Sequence, residues 1–209
     1  MAVTLEHQLR LGINALGLDV PPATQQYLLK YLELLAKWNK AFNLTAVRKP
    51  EDMVTRHLLD SLSVAPYITG RNILDVGTGP GLPGIPLSFL MPEKHFVLLD
   101  SNSKKTRFLS QLQIEMKLSN ITIVNQRVEN FRPDMHFDII ITRAFASLRD
   151  MLVMTGHLVS PTTRVLAMKA RLDEDLSSLP PEYEVKGIHP LHIPALDARR
   201  QLVEVVCRG

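Results

Sequence analysis

The residues best placed to do chemistry run from 72 to 87: Asn72-Ile73-Leu74-Asp75-Val76-Gly77-Thr78-Gly79-Pro80-Gly81-Leu82-Pro83-Gly84-Ile85-Pro86-Leu87. Ile73, Leu74 and Val76 read as a short buried strand, and the apolar run after Gly84 reads as a helix. Between them lie the glycines Gly77, Gly79, Gly81 and Gly84. Glycine admits positive φ and has no Cβ, so such a turn lets a ligand approach bare backbone at a helix N-terminus. Pro80, Pro83 and Pro86 stiffen the loop and suit a first helical turn, where a missing N–H costs little.

The loop holds no Gly-Lys-Ser/Thr, which sets aside a mononucleotide P-loop. Gly79, Gly81 and Gly84 match the G-x-G-x-x-G spacing of a dinucleotide site. Asp75, two residues before the first glycine, argues the other way, because an anionic pyrophosphate gains nothing from a carboxylate there. A ligand with an ammonium and a sulfonium, such as S-adenosylmethionine, does gain. The bland reading is a turn that only packs strand on helix.

The elements that position this loop follow from periodicity. Leu5, Leu9, Leu11 and Ile13 predict a first helix, ended by Gly17 and Pro21-Pro22. Helical spacing of Tyr27, Leu28, Tyr31, Leu32, Leu34, Leu35 and Trp38 predicts a helix over 24–40, its aromatic stripe in the core. Pro50 opens a third helix, burying Met53, Leu58, Leu59 and Leu62. It also carries Arg56, His57 and Asp60. Arg56 reaches a phosphate or pairs with Asp60 one turn on, and His57 reads as a hydrogen-bonded structural histidine.

After the loop, strands and helices alternate. Strands are predicted at 95–99, ending at Asp100, and at 121–124, 137–141 and 164–168. Helices are predicted at 104–117, capped by Ser101 or Ser103, and at 148–159. Asp173, Glu174 and Asp175 read as a solvated acidic turn. Then 183–193 and 201–207 are strand-like with no helix between, so they pair antiparallel. The chain is thus α/β: a helical region at 1–70 and a Rossmann-like, mostly parallel seven-stranded sheet with a terminal antiparallel addition at 71–209. Ligands of such sheets bind at the C-terminal strand ends. Asp75, Gly77, Asp100, Arg127 to Glu129, Arg143 and Lys169 collect there, and Asp100 suits a ribose diol.

Totals exclude several classes. The chain has 209 residues, 45% hydrophobic and 22% charged, with no apolar run of membrane-span length and no opening signal segment. The single cysteine, Cys207, rules out an internal disulfide and fits a reducing cytosol. His189 and His192 lack further zinc ligands, so no metal is expected. A net charge of +3 permits a nucleic-acid partner without requiring one.

Acid-x-Gly-x-Gly on the first strand, with a terminal antiparallel pair, resembles the class I S-adenosylmethionine-dependent methyltransferases. Residues 75–87 resemble more narrowly the RsmG (GidB) family, which methylates N7 of a guanine in 16S ribosomal RNA. Supporting segments are Phe42-Asn43-Leu44-Thr45, His57-Leu58-Leu59-Asp60-Ser61, Leu98-Leu99-Asp100-Ser101, Arg143-Ala144-Phe145-Ala146 and Pro194-Ala195-Leu196-Asp197. Ala170 departs from the glycine that usually follows the lysine at Lys169. The resemblance implies that Gly77, Leu82, Val128, Glu129 and Arg143 contact the cofactor, with Gly77 and Leu82 at the methionine end and Val128 and Glu129 at the adenine edge. Asp75, Gly79 and Asp100 complete the expected cofactor set.

Absences narrow the chemistry. Thr142-Arg143-Ala144-Phe145 stands where an amine methylase carries an acid or amide before Pro-Pro-aromatic, and Cys207 at the tail is no C5 nucleophile. Guanine N7 has an in-plane lone pair and no proton, so no general base is expected. RNA contacts are expected from Arg143, Lys169, Arg199 and Arg56, with Arg48 and Lys49, and Phe145 either stacks a flipped base or sits in the core. The expected partner is 16S ribosomal RNA or the small subunit, and the expected protein is a cytoplasmic monomer with no membrane association. An NAD-dependent oxidoreductase and a non-catalytic RNA-binding or ribosome-assembly module remain as alternatives.

Overall fold

The computed structural model describes residues 4–143, 145, 147–171 and 175–208. Asp173 and Glu174 of the expected acidic turn lie outside them. Asp175 accepts from Ser177 N and opens a single 3₁₀ turn, Leu176–Ser178.

The sheet has seven strands: β1 (Asn72–Val76), β2 (His95–Asp100), β3 (Ile121–Asn125), β4 (Ile139–Thr142), β5 (Arg164–Lys169), β6 (Tyr183–Pro190) and β7 (Gln201–Cys207). Their spatial order is β3-β2-β1-β4-β5-β7-β6. β3, β2, β1, β4 and β5 are parallel neighbours. β7 inserts between β5 and β6 and runs antiparallel to both. The expected antiparallel pairing of the last two strands is found, with β6 as the edge. The sheet reverses order between β1 and β4, and that switch point opens a crevice at the carboxyl ends.

Side-chain alternation on these strands divides the core in two. Ile73, Phe96, Leu98, Ile139, Ile141, Leu166 and Met168 face one side. Leu74, Val76, Val97, Leu99, Ile140, Val165 and Ala167 face the other, against α6 (Leu148–Thr155). The first side is covered by α1 (Leu5–Ala15), α2 (Pro22–Phe42), α3 (residues 50–62), α4 (Gly84–Leu90) and α5 (Ser103–Met116). The helices before residue 70 therefore share one apolar cluster with the sheet: Leu9, Ile13, Leu28 and Leu35 join Ile73, Phe96 and Ile139. α2 packs on both α4 and α5.

Two local features differ from expectation. The cap of α5 is Asn102, whose side chain accepts from Lys104 N, and not Ser101 or Ser103. An amide oxygen there does the same work as a hydroxyl. The third helix, α3, is not uniformly α-helical: Pro50–Met53 and Asp60–Leu62 flank a π-helical stretch, Val54–Leu59. Five of its six residues are buried, with only Arg56 exposed. α1 packs along this stretch and encloses residues on more than one of its faces, and π turns of this kind are often found at functional sites.

Candidate active site

β1 ends in the glycine turn. Gly77, Gly79 and Gly81 have φ of +68°, +63° and +101°, values that favour glycine. Gly77 N and Thr78 N donate to Leu99 O at 2.8 and 3.1 Å, which ties the turn to the end of β2. Leu82, expected near the cofactor, has its side chain in the core at 1% exposure.

Asp75 shares the sheet face of Ile73, so it points under the helices and is fully buried. One oxygen, Oδ2, accepts from Thr78 Oγ1 at 2.6 Å and Gly84 N at 2.8 Å. The carboxylate thus holds both ends of the turn. A Cβ on Gly84 would meet Leu98 and would come within 2.8 Å of Asp75 Oδ2. Burial pushes the Asp75 carboxyl up to about 6, against the lowering effect of those hydrogen bonds and of Arg143. Its Oδ1 has no hydrogen-bond partner among the described residues.

A cleft of ≈ 320 Å³ opens at the carboxyl ends of β1, β2 and β3, within the size range of small-molecule sites. Gly77, Asp100, Val128 and Glu129 all line it, so four of the expected cofactor residues converge. Asp75, Gly79, Leu82 and Arg143 do not line this cleft. Val128 and Glu129 belong to a 3₁₀ turn, Val128–Asn130, directly after β3. Val76, Leu99, Phe145 and Met154 supply apolar wall. Phe145 also packs partly buried on the second core cluster, so it serves both sides of the wall.

Asp100 is 7% exposed. Its Oδ2 accepts from Gly79 N at 2.8 Å and pairs with Lys105 Nζ at 3.6 Å, while Oδ1 accepts from Asn102 N at 2.8 Å. An ionised carboxylate has about four acceptor positions, so capacity remains for ribose hydroxyls. The donor and acceptor set fits an adenosine: an acid for a diol, an apolar slot for a base, and an exposed Glu129 at its rim.

Beside the cleft, α3 approaches the segment after β4. Arg143 Nη1 donates to Arg56 O and to Asp60 Oδ2, both at 3.2 Å. Arg200 Nε donates to Asp60 Oδ1 at 3.2 Å. Asp60 therefore pairs with Arg143 and Arg200, and the pairing considered with Arg56 is not the one recorded. The side chains of Arg56 and Arg199 belong to exposed residues, as do Arg48 and Lys49. Lys169 is 8% exposed and donates to Phe145 O at 3.2 Å.

His57 meets Thr45 Oγ1 through Nε2 at 2.9 Å and is 4% exposed. Burial, and next the Arg143 charge, lower it to about 4, so it is neutral near pH 7. His57 Nδ1 and Ser61 Oγ are buried and, like Asp75 Oδ1, have no partner among the described residues. Buried polar atoms of this kind mark places for water or ligand.

Sequence reading missed Lys105, Gln126 and Met154 on the cleft, and the role of Asp60 and Arg200 beside it. Lys105 was findable as the third residue of a helix that begins at a strand-end acid. The join of Asp60 to Arg200 spans 140 positions, and no local signal carries it. Among the described residues no group of His, Cys, Asp or Glu could hold a metal ion, and His189 instead bonds Glu204. No helix among them is long and apolar enough to cross a membrane.

Comparison with known proteins adds a sequence family. Residues 24–203 match the family profile described as GidB, rRNA small subunit methyltransferase G. A Pseudomonas aeruginosa protein named ribosomal RNA small subunit methyltransferase G is 51% identical over 210 residues, covering 99% of this chain and 98% of that one. One of the same name from Escherichia fergusonii is 52% identical, covering 90% and 92%. Among solved structures, the mitomycin 7-O-methyltransferase MmcR aligns with a TM-score of 0.60 at 15% identity, over 98% of this chain and 66% of that one. TrmN from Thermus thermophilus aligns at 0.55 and 18%, over 81% and 53%. At such identities these structures speak for the fold alone.

Proposed function

The chain belongs to the GidB family of rRNA small subunit methyltransferases G, and from that premise we propose that it transfers a methyl group from S-adenosylmethionine to N7 of a guanine in 16S ribosomal RNA. The observation that carries the reading is the convergence of Gly77, Asp100, Val128 and Glu129 on one cleft at the carboxyl edge of the sheet. Family membership disfavours the oxidoreductase and the non-catalytic module.

S-adenosylmethionine, when bound, supplies a methyl group activated on a sulfonium. The remaining work falls to the chain. Asp100 takes the ribose hydroxyls, Val128 and Glu129 the adenine edge, and the backbone of Gly77, Gly79 and Leu82 the methionine end. Asp75 acts from beneath, by fixing the turn through Thr78 and Gly84. Arg143 takes an anionic end of either ligand. N7 offers a lone pair and loses no proton, so these residues need only align and desolvate the reactants. Arg56 and Arg199, with Arg48 and Lys49, are exposed cations suited to RNA phosphates. Lys169 supports the Phe145 segment from below through its carbonyl. The protein acts in the cytoplasm as a monomer, on 16S RNA alone or within the small subunit.

Calorimetry with S-adenosylhomocysteine and, separately, NAD tests the cofactor assignment. The adenosyl ligand is expected to bind and NAD is not. Binding of NAD alone would refute it.

A further inference from the structure

The carboxylate of Asp60 is shared by two arginines that lie 83 and 140 positions further along the chain. Asp60 lies at the end of the π-helical stretch and is 3% exposed. Its Oδ2 takes Arg143, which follows β4, and its Oδ1 takes Arg200, which precedes β7. Because β7 is antiparallel, it begins at the edge where its neighbour ends: Gln201 pairs in register with Lys169, the last residue of β5. Arg200 therefore stands at the carboxyl edge of the sheet, together with Arg143. Each arginine is about a quarter exposed, while Asp60 is enclosed.

The charges do not balance within this cluster. Two guanidinium groups meet one carboxylate, which leaves one positive charge. Arg143 uses Nη1 for both its bonds, and Arg200 uses Nε for Asp60 and Nη1 for Arg199 O. A guanidinium carries five N–H donors, so both keep donors for an anion. Two anions meet at this edge in the proposed reaction: the cofactor's carboxylate and an RNA phosphate.

We infer that Asp60 is a positioning residue that couples the two ligands, with Arg143 serving the cofactor carboxylate and Arg200 an RNA phosphate. This rests on the methyltransferase reading. Both arginines draw on the one carboxylate, so an anion that engages either guanidinium alters how Asp60 holds the other, and each ligand changes the affinity for the other. Arg56 adds a mechanical link, since its carbonyl holds Arg143 while its own side chain lies exposed.

The test is the affinity for small ribosomal subunits from cells lacking the modification, measured with and without saturating S-adenosylhomocysteine. The ratio of the two affinities is the readout. Unaltered protein is expected to show a ratio of about fivefold or more. Asp60→Asn, which keeps shape and removes charge, is expected to bring the ratio to about one while both ligands still bind singly. Arg200→Gln, at a more exposed site, is expected to bring the ratio to about one with RNA binding weakened and cofactor binding kept, and serves if Asp60→Asn does not fold. A purely structural Asp60 would weaken both bindings and leave the ratio intact. A ratio unchanged in both variants, or a ratio of one in the unaltered protein, overturns the inference. Absence of methyl transfer by the unaltered protein would instead strike the methyltransferase reading.

Discussion

Tyr31 Oη donates a 3.0 Å hydrogen bond to the carbonyl of Pro80, so the second helix holds the glycine turn from above. Tyr31 is 0% exposed, and burial raises its hydroxyl well above the usual tyrosine range, so it stays a donor throughout the working pH. Tyr31→Phe leaves a buried carbonyl unpaired, at a cost of about 1–3 kcal/mol. Urea unfolding should show that loss, and calorimetry should show weaker S-adenosylhomocysteine binding. Unchanged affinity would mean that the helical region does not shape the turn.

Gly79 and Gly84 should fail in different ways when replaced. A Cβ on Gly79 finds only Lys105 Nζ at 3.9 Å and Gly77 O at 4.0 Å, so Gly79→Ala pays chiefly for positive φ, about 1–2 kcal/mol. Gly84→Ala drives a methyl into Leu98 and the Asp75 carboxylate, and overpacking of that kind costs about 1–3 kcal/mol before the lost anchoring of the turn is counted. Thermal unfolding should rank Gly84→Ala below Gly79→Ala. The reverse order would contradict the assigned role of Asp75.

Asp75 and His57 should pull stability in opposite directions with pH. Asp75 is raised from 3.8 to about 6, so its contribution is full below pH 4 and is lost as pH rises through 6. His57 is lowered from 6.5 to about 4, so its contribution is full above pH 6.5 and is lost as pH falls through 4. Each amounts to about 3 kcal/mol, and in the unaltered chain they largely offset. Relative to it, Asp75→Asn should gain stability from pH 4 to 6.5 and His57→Gln should lose it. Unfolding free energies at four pH values decide this, and parallel curves would contradict it. Guanine N7 gives up no proton in the transfer, so the single-turnover rate should be flat from about pH 7 to 9.

RNA and cofactor binding should separate by residue. Arg199→Ala and Arg56→Ala remove exposed cations, so each should lower the salt slope of RNA binding by about one unit and spare S-adenosylhomocysteine affinity. Arg143→Ala should weaken both ligands. Filter binding across a salt series gives the slopes. Slopes equal to that of the unaltered chain would remove Arg199 and Arg56 from the RNA surface.

Much of this was legible in the chain itself. Strand alternation, glycine spacing and the run at 201–207 are local patterns, and they foretold the sheet and its antiparallel strand. The direction of Asp75 was misread: it was expected to face a cationic ligand, but it shares parity with Ile73, lies under the helices and bonds Thr78 and Gly84. What no local pattern carries is contact between distant segments. Asp60 with Arg200, Tyr31 with Pro80, and Lys169 with Phe145 depend on how the helices and sheet edge close together. The π turn in α3 hides for another reason: its buried residues read as an ordinary apolar face.

The central claim is methyl transfer to guanine N7, and labelled transfer followed by chemical mapping tests it most directly. The chain is incubated with methyl-labelled S-adenosylmethionine and small-subunit RNA from cells lacking the modification. The RNA is then reduced with borohydride and cleaved with aniline, a treatment selective for N7-methylated guanine. The account predicts label in the RNA and strand cleavage at a single guanine. Label without cleavage would place the methyl on another atom, and an absence of label on both free RNA and intact subunits would contradict the account.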